Sequence, residues 1–135
     1  MTYSPTHQMT RQEIFDKVFT HLLTQKYQAI TDDGQCEYLA NNGLKCAVGC
    51  LIAEDQLPQV RNTDLVDDVR MAPFLRASGI DDSIPTMDLL VDLQLAHDRS
   101  RASGEAPFLL RTLAPEFETL AQRHGLTFTI PKGFA

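Results

Sequence analysis

A chain of 135 residues is the size of one domain and can bury a core without disulfide staples. Its 43% hydrophobic and 22% charged residues are ordinary for a globular protein, and no apolar run is long enough to span a membrane. A net charge of −6 argues against a nucleic-acid binder that works by neutralising phosphates.

The first residues, MTYSPTHQMTRQ, are polar and lack the apolar stretch of a signal peptide. Residues 1–9 read as a flexible lead-in and 10–135 as a single globular domain. The first element is the clearest. Thr10 followed by Glu13 forms a capping box, and Ile14, Phe15, Val18, Phe19, Leu22 and Leu23 recur on one helical face. Tyr27 to Gly34 reads as a connection.

Residues 36–52, CEYLANNGLKCAVGCLI, come next. Asn42-Gly43 is a hairpin signal because both residue types tolerate positive φ. The expectation is a short hairpin with Cys36 and Cys46 on opposite arms. The small residues Ala47, Val48, Gly49 and Cys50 then suit a buried helix whose backbone approaches a neighbour closely.

Short pieces follow. Thr63 is placed to cap a turn or two through Val69. Pro73 suits the first turn of PFLRAS, which Gly79 ends. Ser83 caps a long helix over IPTMDLLVDLQLAHDRSR. Pro107 and Pro115 mark the starts of two further helices, PFLLRTL and PEFETLAQRH, the second stopped by Gly125. The tail LTFTI alternates apolar and polar residues and reads as a strand beside the hairpin. The expected class is α+β and mostly helical, with four to six helices and a small antiparallel hairpin or three-stranded sheet.

All three cysteines fall within residues 36–50. An odd count without an export signal points to thiols in a reducing compartment, hence the cytoplasm. Spacings of nine and three intervening residues match no common zinc pattern. No cofactor is expected, and a zinc site on Cys36, Cys46 and His97 is an alternative. A second alternative is a thiol enzyme. Cys46 falls where the hairpin gives way to the buried helix, beside Lys45, and a helix N-terminus lowers a thiol pKa. His97 would be its base. Asp98 is the next residue but diverges by about 100° around the helix, so it does not orient that imidazole by adjacency; a pairing with Arg101 is open to it. His7, His21 and His124 lie in the lead-in, on the polar side of the first helix and at a helix C-terminus. Phosphate-binding, zincin, EF-hand and hydrolase motifs are absent.

Charge is uneven. Between residues 64 and 92 stand Asp64, Asp67, Asp68, Asp81, Asp82, Asp88 and Asp92, against Arg70 and Arg76. Such a surface steers encounter with basic partners, with exposed Met71, Phe74 or Leu75 as anchors. A solvated acidic face is the plainer reading of the same run.

The segment NGLKCAVGCLI, the later LQLAHD and the amphipathic QEIFDKVFTHLL together resemble a group of small uncharacterised bacterial and bacteriophage proteins. Cys36, Tyr38, Gly43, Lys45, Cys46, Gly49, Leu51, His97 and Asp98 fit its C-x-Y…G-L-K-C-A-V-G-x-L-I and L-x-x-H-D pattern. The group continues L-I-P-D-E where this chain reads LIAEDQ. The resemblance implies a phage or mobile-element setting and no reaction. The functional expectation is an accessory protein that binds a host protein or complex, in the host cytoplasm if phage-encoded, with no direct nucleic-acid or membrane partner. Asp64, Asp67, Asp68, Asp81, Asp82 and Asp88 are its candidate binding residues.

Overall fold

The computed structural model describes residues 8–27, 37–40, 43–60, 66–99 and 110–134. Helix α1 spans Arg11–Gln25. Both halves of its capping box are formed: Glu13 N–H donates to Thr10 Oγ1 at 3.1 Å and Thr10 N–H to Glu13 Oε1 at 2.8 Å. Ahead of it, Met9 N–H donates to the Gly79 carbonyl at 2.8 Å. The apolar face of α1 is buried along its whole length. At the C-terminus Lys26 sits at φ 73°, a left-handed conformation usually left to glycine.

Helices α3 (Ile84–Arg99) and α4 (Leu110–His124) pack against α1 and each other. Ser83 caps α3, its Oγ accepting the Thr86 N–H at 3.4 Å while its carbonyl accepts from Met87. Thr86, Leu89, Leu90, Leu93, Ala96 and His97 form the buried side of α3. Phe19 stacks on Phe117 at 4.6 Å between centroids; Phe15 and Phe128 approach the same pair at 5.4 and 5.6 Å. Aromatic pairs at these separations add about 0.5–1.5 kcal/mol each beyond their buried area. This cluster locks α1, α4 and the C-terminal tail together.

The expected helix start at Pro115 is not there: α4 runs through Pro115 without interruption. Leu113 and Phe117, on either side of it, are fully buried and hold the helix in register. Their burial outweighs the hydrogen bond that proline cannot give. Gly125 at φ 67° closes α4, and Leu126 N–H returns to the Ala121 carbonyl at 2.8 Å. Pro107 and the segment PFLLRTL up to residue 109 lie outside the described residues.

The middle of the chain is made of short turns. Three-residue 3₁₀ turns span Gly49–Leu51, Leu57–Gln59 and Val69–Met71, and α2 spans Ala72–Ala77 with Pro73 in its first turn. The turn at Val69 is capped by Asp68, which accepts the Arg70 N–H at 2.8 Å; Thr63 lies outside the described residues. Met71 and Leu75, expected as exposed anchors, are core residues, and Phe74 is half-buried.

The α+β expectation is overturned. Among the described residues there is no strand and no sheet; the architecture is α-helical. Of the hairpin there is one isolated antiparallel bridge, Leu39 with Lys45, closed by Ala40 N–H to the Leu44 carbonyl at 2.8 Å, with Gly43 at φ 87° in the turn. The backbone groups of Lys45 face away from Leu39, and a side chain of α1 takes the place of a further strand there. Gln25 Oε1 accepts the Lys45 N–H, and Gln25 Nε2 donates to the Lys45 carbonyl, both at 2.8 Å. The tail is likewise diverted. Thr127 exchanges both backbone groups with the Gln12 amide of α1, at 2.9 and 3.0 Å, instead of pairing with the hairpin. Among the described residues no helix is long and apolar enough to cross a membrane.

Candidate functional site

The cysteine corner is built around a close backbone approach. The 3₁₀ turn at Gly49 presses against the carbonyl of Tyr38, so near that a Cβ on residue 49 would overlap the oxygen. A Cβ is therefore excluded by space and not by a positive φ, which residue 49 does not have. Cys46 Sγ accepts the Gly49 N–H at 3.3 Å and Cys50 S–H donates to the Ala47 carbonyl at 3.1 Å. Val48 N–H reaches Gln94 Oε1 on α3 at 3.2 Å, pinning the turn to that helix. The small residues are there because the corner is crowded on every side.

Cys46 is 1% exposed and His97 0%. A reagent cannot reach either from solvent without an opening of the core. Burial pushes the Cys50 thiol up to about 12, against smaller opposing effects of Lys17 and Lys45. Cys50 is a weak hydrogen-bond donor and stays protonated. Cys36 and the Asp98 side chain lie outside the described residues, as does Arg101, so the proposed ligand and orienting contacts involving them do too. Among the described residues no group of three or more His, Cys, Asp or Glu side chains is placed to hold a metal.

His21, expected on the polar side of α1, turns into this corner. Its Nε2–H donates to the Lys45 carbonyl at 3.0 Å; a carbonyl only accepts, so Nε2 carries the proton. Burial lowers its pKa below the ordinary 6.5, the hydrogen bond to Lys45 opposes that, and the charges of Lys45, His97 and Lys17 lower it further. Lys45 Nζ reaches outward to Glu54 at 3.1 Å. The imidazole fastens α1 to the hairpin turn, and sequence pattern alone gave no sign of it.

A second cluster also escaped the sequence. His124 Nε2 donates to Asp92 Oδ2 at 2.7 Å, and Arg123 Nη1 shares the same oxygen at 3.1 Å. Arg11 Nη2 donates to the His124 carbonyl at 3.1 Å and approaches His124 Nδ1 at 3.3 Å. The beginning of α1, the middle of α3 and the end of α4 meet at this point. Both imidazole nitrogens are engaged, and the group ties three helices together. Beside it, Ala96, Pro115, Glu116, Thr119, Leu120 and Arg123 line a shallow groove between α3 and α4.

The acidic run divides into engaged and open carboxylates. Asp68 pairs with Arg70 at 3.3 Å, and Asp82 lies 3.8 Å from Arg76. Asp81 accepts the Ser83 N–H at 2.8 Å, and its hydrogen bonds to Ser83 hold its carboxyl below the usual range. Asp67 and Asp88 are exposed. Asp64 lies outside the described residues. Within this run two aliphatic side chains point into solvent, Val69 at 83% exposure and Ile84 at 77%.

Comparison with protein-family models, with curated proteins and with solved structures returns no match for this chain.

Proposed function

We propose that this protein acts by binding another protein, as a small acidic accessory factor of the phage or mobile-element kind, working in the cytoplasm of the host. Inhibition of a host or defence complex is the form of action that setting favours. The observation that carries the reading is the pair Val69 and Ile84, both far into solvent within a segment bearing the open carboxylates of Asp67 and Asp88. Aliphatic anchors within a charged surround are how interfaces combine affinity with encounter rate. The thiol-enzyme reading on Cys46 and His97 needs substrate to reach two side chains sealed in the core, and the zinc reading on Cys36, Cys46 and His97 has no further support.

The test is affinity capture from a host lysate followed by native mass spectrometry, with the wild-type chain and with Asp67 and Asp88 changed to Asn. A partner retained by the wild type and weakened in the variant and by added salt is the expected result. A protein that retains nothing, or that carries one zinc lost to a chelator, would overturn the binding reading.

A further inference from the structure

The tail after α4 carries an extended edge on which no strand lies. From Leu126 to Pro131 the chain runs without helix, turn or bend. At Thr127 the N–H and the carbonyl both meet the Gln12 amide, at 2.9 and 3.0 Å. In an extended chain the two groups of one residue point to the same side, and those of the next residue to the opposite side. Thr127, Thr129 and Pro131 therefore turn their backbone groups to the Gln12 side, while Phe128 and Ile130 turn theirs away. Among the described residues neither Phe128 nor Ile130 has a backbone hydrogen-bond partner. Thr127 and Thr129 are exposed, Phe128 rests on Phe19, and Ile130 is 37% exposed. Protein edges are ordinarily blunted by proline, charge or a bulge. Here the N–H that Pro131 lacks belongs to the Gln12 side, and Leu126–Pro131 holds no charged residue. Threonine, phenylalanine and isoleucine are good strand formers.

We infer that this edge pairs with the same edge of a second copy, as an antiparallel two-stranded ribbon with its two-fold axis at Thr129. Self-complementarity selects the occupant. In that register Phe128 lies opposite the copy's Ile130 and exchanges both backbone hydrogen bonds with it, and the symmetry repeats the pair. Thr129 faces the copy's Thr129, and Thr127 faces its Pro131, at positions that need no bond across the ribbon. The Gln12 amide thus stays where it is. Aromatic with β-branched and threonine with threonine are both favourable pairs across strands. The copy's Phe128 covers the open side of Ile130. Charge agrees with this choice. A net charge of −6 opposes contact between copies at an acidic surface, whereas the tail brings no carboxylate to the contact. Lys132 stands opposite the copy's Leu126, which sets the two lysines about 20 Å apart, well beyond a Debye length. A charged strand of another protein finds nothing on the tail to select it. The contact is short, so the dimer is of the weak, concentration-dependent class.

The experiment follows the full chain by sedimentation from about 10 μM to about 1 mM, with amide hydrogen exchange measured by NMR at both ends of that range. The expected result is a dimer that grows with concentration. In it the Phe128 and Ile130 amides slow about threefold or more, while the Thr129 amide keeps its rate. Ile130→Pro removes a donor from the free edge and should weaken self-association about tenfold or more. Thr129→Pro removes one from the Gln12 side and is the control, expected to weaken it about threefold or less. Circular dichroism verifies that both variants stay folded, and the exchange pattern of the wild type tests the register without them. A chain still monomeric at the highest concentration would overturn the inference, as would a dimer in which Phe128 and Ile130 exchange as fast as Thr129. Equal losses in the two proline variants would do the same. Protection of Phe128 and Ile130 that arises only with a host lysate, in a chain monomeric by itself, would give the edge to another protein's strand and overturn the second copy.

Discussion

The carbonyl oxygen of Tyr38 occupies the space into which a side chain on residue 49 would grow. Gly49 is thereby fixed by a neighbour's backbone, which cannot rotate away as a side chain tip would. The substitution Gly49→Ala should destabilise the protein by about 2–3 kcal/mol or more, since the turn must leave its seat between Tyr38 and α3. Chemical denaturation reads this directly, and a loss below about 0.5 kcal/mol would mean that the corner yields easily.

Pro115 is exposed in α4 and denies the Arg111 carbonyl its intrahelical partner. Replacing it with alanine restores an N–H at that place and removes the ring's clash with the preceding turn. Pro115→Ala should stabilise by about 1–2 kcal/mol after the greater freedom it gives the unfolded chain is allowed for. A thermal melt of the two proteins would show the variant unfolding several degrees later; an earlier transition would mean that the proline shapes α4.

His21 makes stability depend on pH in a definite direction. Its folded pKa is lowered, first by burial, below the 6.5 it has when unfolded. Between those two values the unfolded chain binds a proton the folded chain refuses. Stability at this site is therefore full above pH 6.5 and declines as pH falls toward the folded pKa, below which the loss is complete. Melting temperatures at pH 7.5 and 5.5 should differ, and the difference should shrink in His21→Gln, whose amide can still donate to the Lys45 carbonyl. An undiminished difference in that variant would place the acid sensitivity elsewhere.

Cys50 should be inert. With its thiol pushed up to about 12 by burial, iodoacetamide at pH 8 should leave it unmodified in the folded protein and label it after denaturant is added. Cys50→Ala should cost about 1–2 kcal/mol, because a small group with one weak hydrogen bond is lost. Unfolding of the whole chain by that change would point to a ligand role.

Local chemistry carried much of the fold into the sequence. The Thr10 box, the Ser83 cap and the glycine stops after α2 and α4 are contained in a few neighbouring residues, and all are found where spacing placed them. The absence of a sheet was not legible because strand pairing depends on what else competes for a backbone. Gln25 and Gln12, long polar side chains on α1, take hydrogen bonds that a further strand would have taken. Pro115 inside α4 has a related cause, since packing of Leu113 and Phe117 outweighs a local preference. The links through His21 and from Asp92 to His124 join residues 24 and 32 positions apart. No periodicity announces a pairing of that kind.

The Gln25 amide on Lys45 also protects the molecule from its own relatives. An interrupted hairpin leaves backbone groups facing outward, and such an edge is a template on which another chain can lay a strand. Here the place is already taken by a side chain that imitates a peptide group, donor and acceptor together. At Lys45 the donor and the acceptor that an incoming strand would need are both occupied, so this point of the turn is closed to β-pairing by a single glutamine.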